Sequence, residues 1–171
     1  ITAYEWLQMS KKNIQKIFFL FFIIVSFYSI FQIRHDFNQD YFHILLIAII
    51  CISTDIGGYI FGKLLKGPKL TKFSPNKTYA GGIGSFLLAI IITILFLELT
   101  FKIFNFRFEF KTFIFVLTVS LVSQIGDIII SYFKRLSKIK DTGKLIPGHG
   151  GLLDRIDGMI FSFPIAYILL L

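Results

Sequence analysis

Four stretches of the chain, residues 14–33, 41–62, 83–101 and 112–133, are mostly apolar and about 18 residues or longer. As helices, each reaches across the hydrocarbon core of a bilayer. A soluble domain of 171 residues with 22 Phe and a mean hydropathy of +0.75 would expose far too much apolar surface. Lipid is therefore the expected solvent, and the expected fold is an all-α polytopic integral membrane protein with about five transmembrane helices. A fifth apolar run, 159–171, is shorter. It spans if its helix starts near Leu152 or if the chain continues past Leu171.

The first run lacks a small-residue cleavage site, so no signal peptide is expected. The chain starts with Ile rather than Met, which suggests a missing N-terminal part. Cys51 stands alone inside an apolar run, so a packed thiol is expected rather than a disulfide or a cysteine metal site.

The formal charge is +8. With five spans, the segments before Ile14, between Lys63 and Gly82, and between Lys134 and Arg155 share one side of the membrane. Apart from Arg34, Lys102, Arg107 and Lys111, every Lys and Arg falls on that side. The positive-inside rule assigns it to the cytoplasm. This placement accounts for the basicity without a nucleic-acid partner. No soluble domain, coiled coil or low-complexity linker is visible in the sequence.

Asp55 and Asp127 lie within the second and fourth runs. A carboxylate at a helix centre costs about 2.5–3.5 kcal/mol on insertion scales, so such residues usually face a cavity, a partner charge or an ion. Packing through a protonated or locally bonded Asp is the plainer alternative. Asp55 precedes Lys63 by eight residues and Asp127 precedes Lys134 by seven. Both should therefore lie about 10–12 Å below the same boundary. Ser120, Ser123, Gln124, Asp127 and Ser131 recur at helical spacing and predict one polar stripe. Asp55, Gly58, Tyr59 and Gly62 share a face of the second helix. There glycine allows either close helix contact or room for a ligand. Asp154 and Asp157, three apart, stand at the entry to the last helix. One acid there is ordinarily an N-cap or dipole partner, but two acids after "GHGG" favour a site. Four converging carboxylates suit Mg²⁺.

Two polar segments complete this picture. "KGPKLTKFSPNKTYAGG" offers Lys72, Ser74, Lys77 and Thr78 to phosphate oxygens. Its plainer reading is a basic loop at an anionic lipid surface. "KDTGKLIPGHGGLLDRIDG" sets His149 among glycines that let backbone approach a ligand. Neither segment fits a P-loop. The residues alone thus describe a membrane enzyme that handles phosphates with a divalent metal at the cytoplasmic face, its substrate open.

Residues 131–157, "SYFKRLSKIKDTGKLIPGHGGLLDRID", resemble the signature of the phosphatidate cytidylyltransferases, the CDP-diacylglycerol synthases. Ser131, Lys134, Arg135, Lys140, Asp141, Gly143, Pro147, His149, Gly150, Gly151, Asp154, Arg155 and Asp157 carry the match in order and spacing. "DIGGYIFGK" and "FSPNKTYAGG" resemble two further family segments, with Asn76 where Lys is common and Ala80 where the pattern has Glu. "YEW" near the start is a weaker likeness.

The resemblance implies a single membrane-embedded domain over residues 1–171, the C-terminal catalytic part of a family with more N-terminal helices. It implies the conversion of CTP and phosphatidate to CDP-diacylglycerol and pyrophosphate at the bacterial inner membrane, with the active site facing the cytoplasm. The roles expected are metal binding by Asp127, Asp154, Asp157 and Asp55, and catalysis by Lys134, Arg135, Asp127 and His149. Ser74, Lys77, Thr78, Lys140, Asp141, Gly150, Gly151 and Arg155 are expected to bind substrate. The cofactor expected is Mg²⁺, with room for a second cation. The partners expected are CTP, phosphatidate and membrane lipid, with a homodimer as the protein assembly considered. A catalytically impaired homologue and a cation transporter are the alternatives. If the family Glu supports the metal or the loop, Ala80→Glu should raise activity or Mg²⁺ affinity.

Overall fold

Each apolar run becomes one helix in the computed structural model of the chain, which describes residues 1–10, 13–36, 41–71, 74, 77–143 and 150–171. The helices are α1 (Thr2–Met9), α2 (Asn13–Asp36), α3 (Phe42–Leu65), α4 (Tyr79–Phe104), α5 (Phe110–Leu136) and α6 (Leu153–Leu170). Four of them, α2 to α5, are long and apolar enough to cross a membrane. The fifth apolar run forms α6, which starts one residue past the expected Leu152. Its 18 residues reach about 27 Å. It falls outside the four because Asp154, Arg155 and Asp157 occupy its first turns. The chain is an integral membrane protein by this architecture.

Helix ends follow local chemistry. Thr78 caps α4, its Oγ1 accepting from Gly81 N at 3.1 Å. Asn105 ends α4 in the left-handed region, φ 52°. The backbone N–H of Glu109 donates to Thr112 Oγ1 at 3.4 Å where α5 begins. The loop between α3 and α4 doubles back on itself: Leu70 N donates to Lys77 O at 2.7 Å and Tyr79 N to Pro68 O at 3.2 Å.

One apolar core joins α3, α4, α5 and the far end of α6 through Phe42, Leu46, Ile50, Cys51, Ala89, Leu97, Val116 and Phe163. Cys51 is the packed thiol expected, 1% exposed. Large side chains on the outer face of α2, among them Phe18, Phe21, Phe27 and Phe31, are exposed and suited to lipid.

Small residues let α3 and α4 meet backbone to backbone. A Cβ at Gly57 would stand 2.7 Å from Gly84 O, and one at Gly81 would stand 2.7 Å from Gly58 O. Across this seam Ser85 Oγ donates to Thr54 O at 2.7 Å, and Thr54 Oγ1 donates to Ser120 Oγ on α5 at 2.8 Å. These hydroxyls tie α3 to both α4 and α5.

Helix α1 is an addition to the expected elements, since eight residues are too few for an apolar period to show. Trp6 anchors it, fully buried. Its ring stacks on Phe19 at 4.0 Å and meets Phe133 edge-on at 5.2 Å, while Nε1 donates to Gln15 O at 3.1 Å. Ser137 Oγ, just past α5, donates to Met9 O at 2.8 Å. Thus α1 gathers with the α3–α4 loop and the α5–α6 connection at one end of the bundle. At the other end Tyr167 Oη of α6 donates to Asp36 Oδ2 of α2 at 3.0 Å. The alternation required by the charge asymmetry is present.

Candidate active site

At the basic end a cavity of about 330 Å³ opens between α3, α4, α5, α6 and the α3–α4 loop. Helix α3 contributes Asp55, Gly58 and Tyr59, and the loop contributes Ser74, Lys77 and Thr78. Helix α4 presents Gly81, Gly82 and Ser85, one face at three- and four-residue spacing. Helix α5 brings Gln124, Asp127 and Lys134, and α6 brings Asp154, Arg155 and Asp157. Sequence positions a hundred residues apart thus share one wall, and the two intramembrane acids, Asp55 and Asp127, face the same space.

The charges are organised in two pairs. Lys77 forms an ion pair with Asp127 Oδ2, and its Nζ also lies 3.4 Å from Gln124 O. Ser131 Oγ donates to the other Asp127 oxygen at 3.3 Å. Lys134 Nζ bonds Asp154 Oδ1 at 2.8 Å, with the side chains only 12% and 9% exposed. The second Asp154 oxygen accepts from Thr142 N at 2.8 Å, Gly151 N at 2.9 Å and Thr142 Oγ1 at 3.0 Å. Burial opposes charge on Asp154, but the Lys134 bond and these N–H donors outweigh it and hold its carboxyl below the ordinary carboxylate value.

The carboxylates therefore divide into two kinds. Asp154 is occupied by donors of its own chain, so it ties the α5–α6 connection to the floor of the cavity. Asp157, 6% exposed, accepts from Gly158 N at 2.8 Å. It lies within the electrostatic reach of Asp127 and Asp55. These three, from three helices, are hard oxygen donors with excess negative charge, the kind of set a divalent cation neutralises. Among the described residues no three His, Cys, Asp or Glu side chains are grouped tightly enough to enclose an ion as they stand. The donor chemistry fits Mg²⁺ in kind, with Lys77 supplying the positive charge beside Asp127.

Several expected residues lie elsewhere. Arg135 follows Lys134 on α5 and so points away from it. It is exposed, outside the cavity wall, with Nη1 donating to Ile139 O at 3.2 Å. Lys140 and Asp141 are exposed and do not line the cavity. Gly150 and Gly151 pack beneath Asp154, and Gly150 needs its freedom: φ is +85°, and a Cβ there would stand 2.7 Å from Asp154 Oδ2. His149 and Lys72 lie outside the described residues.

Other residues were not read from sequence as parts of this region. Thr142 bonds Asp154, and Glu5 of α1 accepts from the first N–H groups of α6. For Glu5 the available signal was an acid between Tyr4 and Trp6 in an otherwise basic segment.

A sequence model of the Cytidylyltransferase family matches residues 2–171. The chain is 37% identical over 169 residues to a phosphatidate cytidylyltransferase of Rickettsia bellii, a match that covers 96% of this chain and 73% of that protein. It is 37% identical over 150 residues to the phosphatidate cytidylyltransferase of Brucella suis biovar 1, covering 87% and 54%. It is 40% identical over 136 residues to that of Staphylococcus haemolyticus, covering 78% and 51%. The chain thus spans about three-quarters of the rickettsial protein and about half of the other two.

Proposed function

The chain belongs to the cytidylyltransferase family, and from that premise we infer that it joins CTP to phosphatidate, yielding CDP-diacylglycerol and pyrophosphate. The observation that carries this reading is the cavity itself: carboxylates from three apolar helices and the cations Lys77, Lys134 and Arg155 line one space beside the α3–α4 loop. In the reaction a phosphatidate oxygen attacks the α-phosphorus of CTP, and the bond to the β-phosphate oxygen breaks. Phosphatidate brings its own anionic oxygen, so little general-base help is required. The barrier lies in bringing two anions together and in charge gathering on the pyrophosphate.

Lys77 and Thr78 hold phosphate from the loop side, and Lys134 and Arg155 from the α5–α6 side. Ser74 supplies a hydroxyl beside Lys77. Asp127 and Asp157, with Asp55, would hold Mg²⁺, which supplies a Lewis acid for phosphoryl oxygens. Asp154 keeps Lys134 at the cavity edge. The setting proposed is a bacterial inner membrane with the cavity open to the cytoplasm, where CTP is made and the basic segments belong. The purified chain, supplied with labelled CTP and phosphatidate, should form CDP-diacylglycerol only with Mg²⁺ present. No product under any divalent cation would reject the reading.

Orientation gives its own prediction. In a Cys51→Ser background, Lys69→Cys and Lys140→Cys should resist an impermeant thiol reagent added outside intact cells, whereas Lys111→Cys should react. Labelling at position 69 or 140 from outside would invert the assignment.

Ala80 gives another. It sits in the first turn of α4, while Thr78, Gly81, Gly82 and Ser85 form the face that lines the cavity. Ala80 is on the opposite side of that turn. Ala80→Glu is expected to act on the helix terminus, stabilising the protein by about 0.3–1 kcal/mol and leaving turnover within about twofold. A clear gain in turnover or in Mg²⁺ affinity would instead bring that carboxylate into the site.

A further inference from the structure

Glu5 is an acid on the short helix α1, yet it is only 5% exposed. Its Oε1 accepts from Leu152 N at 3.0 Å and its Oε2 from Leu153 N at 2.8 Å. These amides open α6, where backbone N–H groups have no intrahelical partner and a negative charge is favoured. Two glycines of the α5–α6 connection pack against this carboxylate. A Cβ at Gly151 would stand 2.6 Å from Oε2, and one at Gly143 would stand 2.8 Å from Oε1.

Glu5 also reaches the cavity through one intermediary. The Thr142 hydroxyl lies 3.3 Å from Glu5 Oε2 and 3.0 Å from Asp154 Oδ2. Its single proton is shared between two carboxylates, and Asp154 in turn holds Lys134. Trp6, next to Glu5, is packed against Phe133 of α5. Helix α1 therefore grips the end of α5 and the start of α6, the two elements that bring Lys134, Arg155 and Asp157 to the cavity.

We propose that Glu5 is a positioning residue for cytidylyl transfer, setting the α5–α6 connection and the first turn of α6 so that Lys134 and Arg155 meet the phosphates. This rests on the cytidylyltransferase reading of the site. Glu5 does not line the cavity and acts through Thr142 and Asp154. The carboxylate is what matters: in Glu5→Gln an amide N–H would face backbone N–H donors, whereas Glu5→Asp keeps an acceptor pair at shorter reach.

The test uses the full chain in detergent, with turnover, KM for CTP, unfolding temperature and amide hydrogen exchange across residues 142–153 measured together. At a temperature where it is fully folded, Glu5→Gln should lose turnover by about 10–100-fold, the range typical of supporting-shell substitutions. Exchange at Gly151, Leu152 and Leu153 should quicken, and Glu5→Asp should recover part of both losses. Trp6→Phe, which removes the bond to Gln15, should lower the unfolding temperature and leave turnover of the folded protein within about twofold. Turnover of Glu5→Gln within about twofold of the parent, or lost only in step with folded protein, overturns the proposal. Should Glu5→Gln fail to fold, Thr142→Val decides: parent-like turnover overturns it, and a graded loss in folded protein supports it. A parent without cytidylyl transfer overturns the reaction itself, and the exchange arm still reports whether Glu5 holds the connection.

Discussion

Asp127→Asn is expected to cut turnover by on the order of 100-fold or more, the size of effect seen when one element of a preorganised electrostatic site is removed. The substitution keeps the shape of the side chain and an acceptor for Ser131. It takes away the charge that pairs with Lys77 and that would face the cation. A packing role would give the opposite result. Asn is cheaper than Asp within an apolar helix, so expression and thermal stability should hold or improve while activity stays near normal. Raised Mg²⁺ should rescue the variant only partly, because Lys77 then loses its partner as well. Turnover within a few-fold of the parent, with unchanged Mg²⁺ dependence, would remove Asp127 from the site and with it the shared focus of α3, α5 and α6.

Lys134→Met should strongly destabilise the fold. Both members of the Lys134–Asp154 pair are nearly buried. Removing Lys134 leaves the Asp154 charge with only its Thr142 and Gly151 donors, which costs up to about 3–5 kcal/mol. The unfolding temperature in detergent should drop by on the order of 10 °C, and turnover should be lost with it. A second variant isolates the cause. Lys134→Met with Asp154→Asn removes both charges, and the Asn carbonyl oxygen, turned to the position of Asp154 Oδ2, still accepts from Thr142 and Gly151. It should regain much of the lost stability while remaining inactive. If the double variant is no more stable than the single one, uncompensated charge is not what destabilises it.

The sequence was most legible where its chemistry was most costly. Asp55 and Asp127 stand out because an apolar helix gives a charge no reason to be there, and both do line the cavity. Lys77 and Asp154 were visible as site residues, but their partners were not. The Lys134–Asp154 bond spans twenty residues across a connection whose path no periodicity reports. Asp154 shows the consequence. Its spacing from Asp157 pointed to a second acid of the same kind, yet donors from Thr142, Gly151 and Lys134 occupy it. Arg135 was expected in the site through the family resemblance, yet it does not line the cavity with Lys134, because successive helical residues diverge by about 100°. Glu5 was obscured for the opposite reason to Asp127. In a polar segment an acid looks ordinary, and only the arrival of α6 from the far end of the chain encloses it.

The contact between Gly57 and Gly84, repeated at Gly58 and Gly81, has a mechanical consequence. Where their backbones touch, at the cavity end, α3 and α4 have no side-chain layer to shear or repack, so this end of the pair should be stiff. Their connecting loop is tied across its own width by backbone bonds from Leu70 to Lys77 and from Tyr79 to Pro68. The half of the cavity wall that carries Lys77 should therefore move as one piece. The opposite half is close-packed too: a Cβ at Gly158 would stand 3.0 Å from Ser123 O, and one at Gly126 would stand 3.2 Å from Asp157 O. Any widening that admits a lipid headgroup, or narrowing that expels water, is then easiest between the two helix pairs rather than within either. The site lies along that seam, with Lys77 on one side and Asp127 and Asp157 on the other.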